Sequence, residues 1–244
     1  MSPRLTVATA GRVLRQVRHD PRTVALLIVV PCVLIGLLAW IFHNTPVFNA
    51  IGAPLLGVFP FVVMFLLTSV TTLRERQSGT LERLLTMPLG KGDLIGGYAL
   101  AFGLLATVQA VIATGFAVWV LGLDIAGPLG LLVLVAVVDA VLGSTLGLFV
   151  SAFANTEFQA VQFMPAFVLP QFLLCGLLIP RDALPPFLEA VSNVLPLSYA
   201  VDAMRTLTTD ADASAEVLAD VAIVVAFALA AVALGSATLR RRTP

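Results

Sequence analysis

One carboxylate, Asp139, lies near the middle of an apolar run from Pro128 to Phe153. A charged side chain at bilayer depth costs several kcal/mol unless it faces a partner or a wet cavity, which makes Asp139 a candidate for a pathway or gate. Protonation, or a hydrogen bond across helices to Ser, Thr or Gln, would also accommodate it. Gln109, Gln159, Gln162 and Gln171 share apolar surroundings and suit either a pathway lining or bonds between helices. Other reactive chemistry is sparse. Gly143-Ser144-Thr145-Leu146-Gly147 misplaces its serine for a nucleophile elbow, and no H-E-x-x-H occurs. Gly90-Lys91 lacks both the upstream glycine and the following Ser or Thr of a phosphate-binding loop. His19 and His43 flank the first apolar run on opposite sides, so they form no zinc set. Cys32 and Cys175 fall inside apolar runs and read as small core residues rather than a disulfide.

The densest polar chemistry is Arg74-Glu75-Arg76-Gln77-Ser78-Gly79-Thr80-Leu81-Glu82-Arg83-Leu84-Leu85-Thr86-Met87-Pro88. Ser78, Gly79 and Thr80 can open a helix with Glu82 in its first turn. Leu81, Leu84 and Leu85 then share one face, and Pro88 stops the helix. A two-turn helix with three leucines cannot stabilise itself in water. It needs a groove on another protein, or the membrane surface. Gly90 and Gly92 follow as a flexible return to apolar sequence.

These segments must be positioned by membrane spans. The chain has 244 residues, 59% of them hydrophobic and only 11% charged, with a mean hydropathy of +1.02. Soluble domains carry about 25% charged residues, so the composition specifies an all-α integral membrane protein. Six runs approach the length of about 20 apolar residues that a bilayer demands: 24–42, 50–73, 94–121, 128–153, 161–179 and 217–239. The first run is too long for a signal peptide and lacks a small-residue cleavage site, so it reads as a retained span. Arg4, Arg12, Arg15, Arg18, Arg22, Arg74, Arg76, Arg83, Lys91 and Arg240 to Arg242 fall on one side of this arrangement; Arg181 and Arg205 fall on the other. That asymmetry predicts cytoplasmic termini and a cytoplasmic 74–93 loop. The preference for Arg over Lys, with abundant Ala, Val and Leu, suggests a bacterial source and hence its cytoplasmic membrane.

Two further segments lie outside the spans. Residues 1–21 place Val7, Ala10, Val13, Leu14 and Val17 on one side, and Arg4, Arg12, Arg15, Arg18 and His19 on the other. This is the pattern of a helix in the membrane interface. Asp20-Pro21 ends it. Residues 180–199 are apolar but broken by Pro180, Pro185, Pro186 and Pro196. They predict an outer re-entrant helical hairpin, tolerated at that depth only under cover of protein or beside a cavity.

In this order the segments resemble the permease subunit of an ABC-2 type exporter, the group that includes daunorubicin-resistance-type permeases. The likeness covers almost the whole chain as a single transmembrane domain. It rests on Arg18-His19-Asp20-Pro21-Arg22 with Pro31, and on Arg74-Glu75-Arg76 followed by Gly79 to Leu85 and Pro88. The third match is Gly176, Pro180, Leu184-Pro185 and Leu195 to Arg205. The resemblance implies a coupling helix at Gly79, Thr80, Leu81, Glu82, Arg83, Leu84, Leu85 and Met87, seated on a cytosolic ATPase. ATP and Mg would be bound by that partner and no cofactor by this chain. A second permease chain, identical or paralogous, would complete the pathway among membrane lipids. Pro180, Pro185, Pro196 and Tyr199 would belong to a cap over the exit, and no nucleic-acid partner is expected. The implied cargo is an amphipathic drug or lipid. Two alternatives are an ion-coupled secondary transporter, which commonly pairs ionisable residues where Asp139 stands alone, and a six-span membrane enzyme.

Overall fold

The structure, a computed structural model, describes residues 2–43, 45–78, 91–212 and 214–238. Their regular structure is helical, with no strand among them. Helix α1 (Pro3–Arg18) starts with Pro3 in the first turn, where the missing N–H costs nothing. Asp20 separates it from α2 (Pro21–Ile41). The Asp20 carboxylate accepts from Arg22 N at 3.2 Å and from Thr23 N at 3.3 Å, and so caps α2. These bonds hold its pKa below the usual carboxylate value, the Thr23 hydroxyl contributing most.

Helix α3 (Val47–Gln77) is 31 residues long. At 1.5 Å per residue it reaches about 46 Å, well past a hydrocarbon core of about 30 Å. Arg74 to Gln77, expected at the start of a loop, are therefore its last turn. Helix α4 (Lys91–Gly115) continues into a π-helical turn, Phe116–Val120. Helix α5 (Leu129–Ser151) carries Asp139, and α6 (Glu157–Leu174) follows after a tight turn. A 3₁₀ turn (Arg181–Ala183) and two helices, α7 (Pro186–Ser192) and α8 (Pro196–Thr209), precede α9 (Ser214–Thr238).

Among the described residues, five helices are long and apolar enough to cross a membrane: Pro21–Ile41, Val47–Gln77, Gly92–Val120, Leu129–Ser151 and Ser214–Gly235. The expected run 161–179 differs. Its helix stops at Leu174, and its 18 residues include three glutamines and two prolines that dilute its hydropathy.

Helix α3 is the hub and contacts α2, α4, α5, α6 and α8. Its tightest neighbour is α5. A Cβ on Gly143 would lie 2.3 Å from Phe61 O, and one on Gly147 would lie 2.4 Å from Phe65 O. The four-residue spacing of the two glycines thus matches one turn of α3, a small-xxx-small approach. Phe61, Phe65 and Leu142 fill the surrounding core. The outward faces are apolar; Leu26, Val29, Val33 and Leu37 line α2. Trp40 stands exposed at the far end of α2 and Trp119 in the π-helical turn that follows α4, as interfacial anchors do.

Helix α1 forms as expected, but its apolar side meets protein. Ala10, Val13 and Val17 are buried, with Ala10 and Val13 packed in one cluster with Leu94, Tyr98 and Ala101 of α4. A Cβ on Gly97 would fall 2.5 Å from Thr9 Cβ, so this crossing also depends on glycine. Val7 alone of the predicted apolar positions is exposed.

Candidate functional site

Three polar groupings stand out: a frame around residues 79–90, an isolated carboxyl inside the bundle, and a cluster at the opposite end of α6.

The frame joins the last turn of α3 and the first turn of α4 to their neighbours. Glu75 is buried and receives both terminal nitrogens of Arg12, at 3.0 and 3.2 Å. Arg12 Nη2 also donates to Tyr98 Oη at 3.0 Å. This forked pair therefore ties α1 to α3 and α4 together. Arg12, expected to face lipid headgroups, is turned into the protein instead. On the other side of α3, Arg74 grips Glu157 at 2.8 and 2.9 Å. Those bonds hold the Glu157 carboxyl below its usual pKa. Arg76 donates to Ser151 O, at the end of α5, where a cation also suits the helix dipole. Gln77 Nε2 donates to Asn155 O at 2.7 Å. Gln159 Oε1 accepts from Asn155 N at 2.9 Å, which sets the turn into α6. At the start of α4, buried Asp93 accepts from Ser2 N at 2.6 Å and so ties the entry of α1 to α4. The predicted coupling residues Gly79, Thr80, Leu81, Glu82, Arg83, Leu84, Leu85 and Met87 lie outside the described residues. What is described is the frame from which they emerge.

Inside the bundle, Asp139 is fully buried, and neither carboxyl oxygen finds a partner among the described residues. Oδ2 stands 3.2 Å from where a Cβ on Gly57 would be, and Met204 Sδ stands 3.1 Å from the same point. Asp139 thus marks the meeting of α5, α3 and α8. The sequence supplies no basic residue from 92 to 180 to neutralise it. The glutamines separate into different roles. Gln109 is fully buried with neither amide atom bonded among the described residues. Gln171 Nε2 donates to Phe167 O at 3.1 Å. Gln159 belongs to the turn above, and Gln162 is exposed.

At the opposite end, each predicted proline starts or precedes an element. Pro180 and Pro185 precede the 3₁₀ turn and α7, and Pro196 opens α8. Tyr199 Oη donates to Asn193 O at 2.7 Å. The centre of this cluster is a residue that sequence reasoning treated only as a charge. Arg181 bonds Asp202 and Asn193 through its two terminal nitrogens, and its guanidinium stands 5.2 Å from the centroid of the Tyr199 ring. Burial raises the Asp202 pKa against the pull of Arg181. Gly176 makes the bend into the cluster at φ +89°, open to glycine, and its carbonyl accepts from Arg205 at 3.2 Å. The prolines of this end were readable beforehand; Arg12–Glu75 and Arg181–Asp202 were not, because they join residues 63 and 21 positions apart.

The family model for ABC-2 type transporters matches residues 4–208, a stretch that takes in all three groupings. The chain belongs to the ABC-2 type transporter family. Members of this family are transport subunits rather than enzymes and work with ATPase subunits. The chain is 28% identical over 153 residues to the probable multidrug ABC transporter permease YbhR of Escherichia coli K12, covering 63% of this chain and 42% of that protein. It is 27% identical over 182 residues to the linearmycin resistance permease LnrN of Bacillus subtilis, covering 74% and 47%. The probable multidrug permease YbhS of E. coli K12 is 27% identical over 184 residues, covering 74% and 48%. The chain thus spans slightly less than half the length of these curated relatives. This ABC-2 family chain is a membrane protein with multidrug and antibiotic-resistance permeases among its relatives.

Proposed function

We propose that the chain is the permease subunit of an ATP-driven exporter, moving an amphipathic drug-like or lipid molecule outward across a bacterial cytoplasmic membrane. The observation that carries this reading is the frame around residues 79–90. The helix ends that flank that segment carry polar ties to α1, α5 and α6. A force applied to a coupling helix at 79–87 would pass into three helices at once, rather than bending a loose loop. The Arg12–Glu75 fork supports this most strongly, because a buried charge resists separation from its partner. The force would come from a cytosolic ATPase that binds ATP and Mg, with Leu81, Leu84 and Leu85 in its groove.

In this reading α6 is the fifth of six spans, both termini face the cytoplasm, and α7 with the start of α8 caps the outer exit. The apolar faces of the spans suit a greasy cargo, in keeping with the multidrug and linearmycin-resistance names of relatives. Escherichia coli K12 has both YbhR and YbhS among the similar permeases, which supports a second permease chain as partner. Asp139 sits where pathway helices α3, α5 and α8 converge and senses their separation. The test is efflux of a fluorescent amphiphile from cells carrying the chain and its ATPase. Asp139→Asn, which keeps the shape and removes the titratable proton, slows efflux at unchanged protein level. Wild-type efflux in Asp139→Asn would make the carboxyl structural only.

A further inference from the structure

We infer that Arg181 is the pin of a movable lid formed by residues 180–195, with α8 as the fixed seat. This rests on the reading of that segment as the outer cap, and its experiment is independent of transport.

The two helices of the hairpin are held in different ways. Helix α8 buries Pro196, Leu197, Ala200, Val201, Ala203, Met204 and Leu207, most of them in the main core. Helix α7 has seven residues, and Ser192 is the only one fully buried. Leu188 and Val191 are half-buried, whereas Phe187 is 76% exposed. A single helix of that length has no stability of its own. Its hold on the protein is therefore mostly polar. Ser192 Oγ donates to Leu174 O at 2.8 Å and pairs with Ser198 Oγ at 3.1 Å. Tyr199 reaches the Asn193 carbonyl. Arg181 supplies the remaining ties through one planar group: Asp202 on the seat, Asn193 at the corner between α7 and α8, and the Tyr199 ring.

An element with little buried apolar surface belongs to the low-stability end of a structure and opens first. Here Arg181 adds to the Ser192 and Tyr199 bonds the ion pair that bridges the moving part to the fixed part, and through Asn193 it also braces the lid itself. A lysine in its place would keep the charge opposite Asp202 but would lose the fork that reaches Asn193. Arg181 thus sets how often the lid lifts, while α8 stays seated in the core.

The test uses maleimide labelling of the full chain in detergent micelles, so that membrane sidedness does not enter. The background is Cys32→Ser and Cys175→Ala, with one reporter cysteine at a time. Val191→Cys, half-buried on the same helix and outside the polar ties, reports on the covered side of the lid, and Ala200→Cys reports on the buried face of the seat. We expect the lid reporter to label slowly with Arg181 present. Arg181→Gln accelerates that labelling about tenfold or more, the factor given by losing roughly 1.4 kcal/mol of closure. Arg181→Lys and Asn193→Ala fall between. The seat reporter stays protected in every background. Equal rates at the lid reporter with and without Arg181 would overturn the pin. So would labelling of the seat reporter as fast as the lid reporter in Arg181→Gln, because Arg181 would then hold the local fold rather than a lid. Either failure leaves the permease reading standing, since that depends on the opposite end of the molecule.

Discussion

Arg12 and Glu75 form the pair most sensitive to single substitutions. The Glu75 side chain is only 3% exposed, and its Arg12 partner 29%. Removing the arginine strands a buried carboxylate, which costs about 3 kcal/mol or more. Arg12→Ala therefore lowers the melting temperature of the purified chain markedly. Adding Glu75→Leu restores much of the loss, because no charge is then left alone. An Arg12→Ala protein that melts like wild type would show the pair to be idle. The Arg74–Glu157 pair is weaker, since the two side chains are 56% and 43% exposed. Its contribution is below about 1 kcal/mol. Arg74 lowers the folded-state pKa of Glu157. The tie is therefore fully present above the ordinary glutamate value of about 4.3 and is lost as pH falls through the lower folded value. Melting temperatures measured across that acid window should fall slightly less in Glu157→Gln than in wild type. Neither pair was legible beforehand, because each joins residues distant in sequence. Charge counting groups Arg12 and Arg74 on one side of the spans without identifying their partners.

At the scale of helices, a close approach by α5 was legible in advance from the spacing of Gly143 and Gly147, but not that α3 is the helix it meets. Phe61 and Phe65 present backbone carbonyls there, which cannot swing away as a side chain would. Gly143→Ala must push the helices apart, with an overpacking cost of about 1–3 kcal/mol. Folded yield in detergent should drop, and Gly130→Ala serves as the control because a Cβ there meets nothing within 4 Å. Equal yields would mean that the helices separate freely. The amphipathic pattern of α1 was legible as well, yet periodicity says which side is apolar and not what covers it. The covering turned out to be α4. Residues 161–179 look like one span in the sequence because prolines and glutamines are tolerated in membrane helices. Helix α6 stops at Leu174, before Gly176 makes its bend. The apolar pattern of α7 does not show which of its residues is covered; the one fully buried is a serine.

The whole molecule combines a membrane bundle centred on α3 with two polar structures at its two ends. The frame at one end is made of ion pairs and capped helix ends, and the cluster at the other is gathered by Arg181. Between them stands Asp139, in contact range of α3 and α8. In the proposed function, the energy for transport enters at the end of the bundle from which residues 79–90 continue. Charge reversal at Glu82→Arg should weaken that connection while leaving membrane insertion intact, as judged by detergent-extracted yield. The most direct measurement is affinity purification of the chain in mild detergent from its native host, followed by assay of nucleotide hydrolysis in the purified fraction. Wild-type chain should bring a separate hydrolysing subunit with it. Leu84→Asp should lose that subunit and its activity while keeping the wild-type melting temperature. Wild-type chain purified without any such companion, or Leu84→Asp retaining it at full activity, would contradict coupling through residues 79–87.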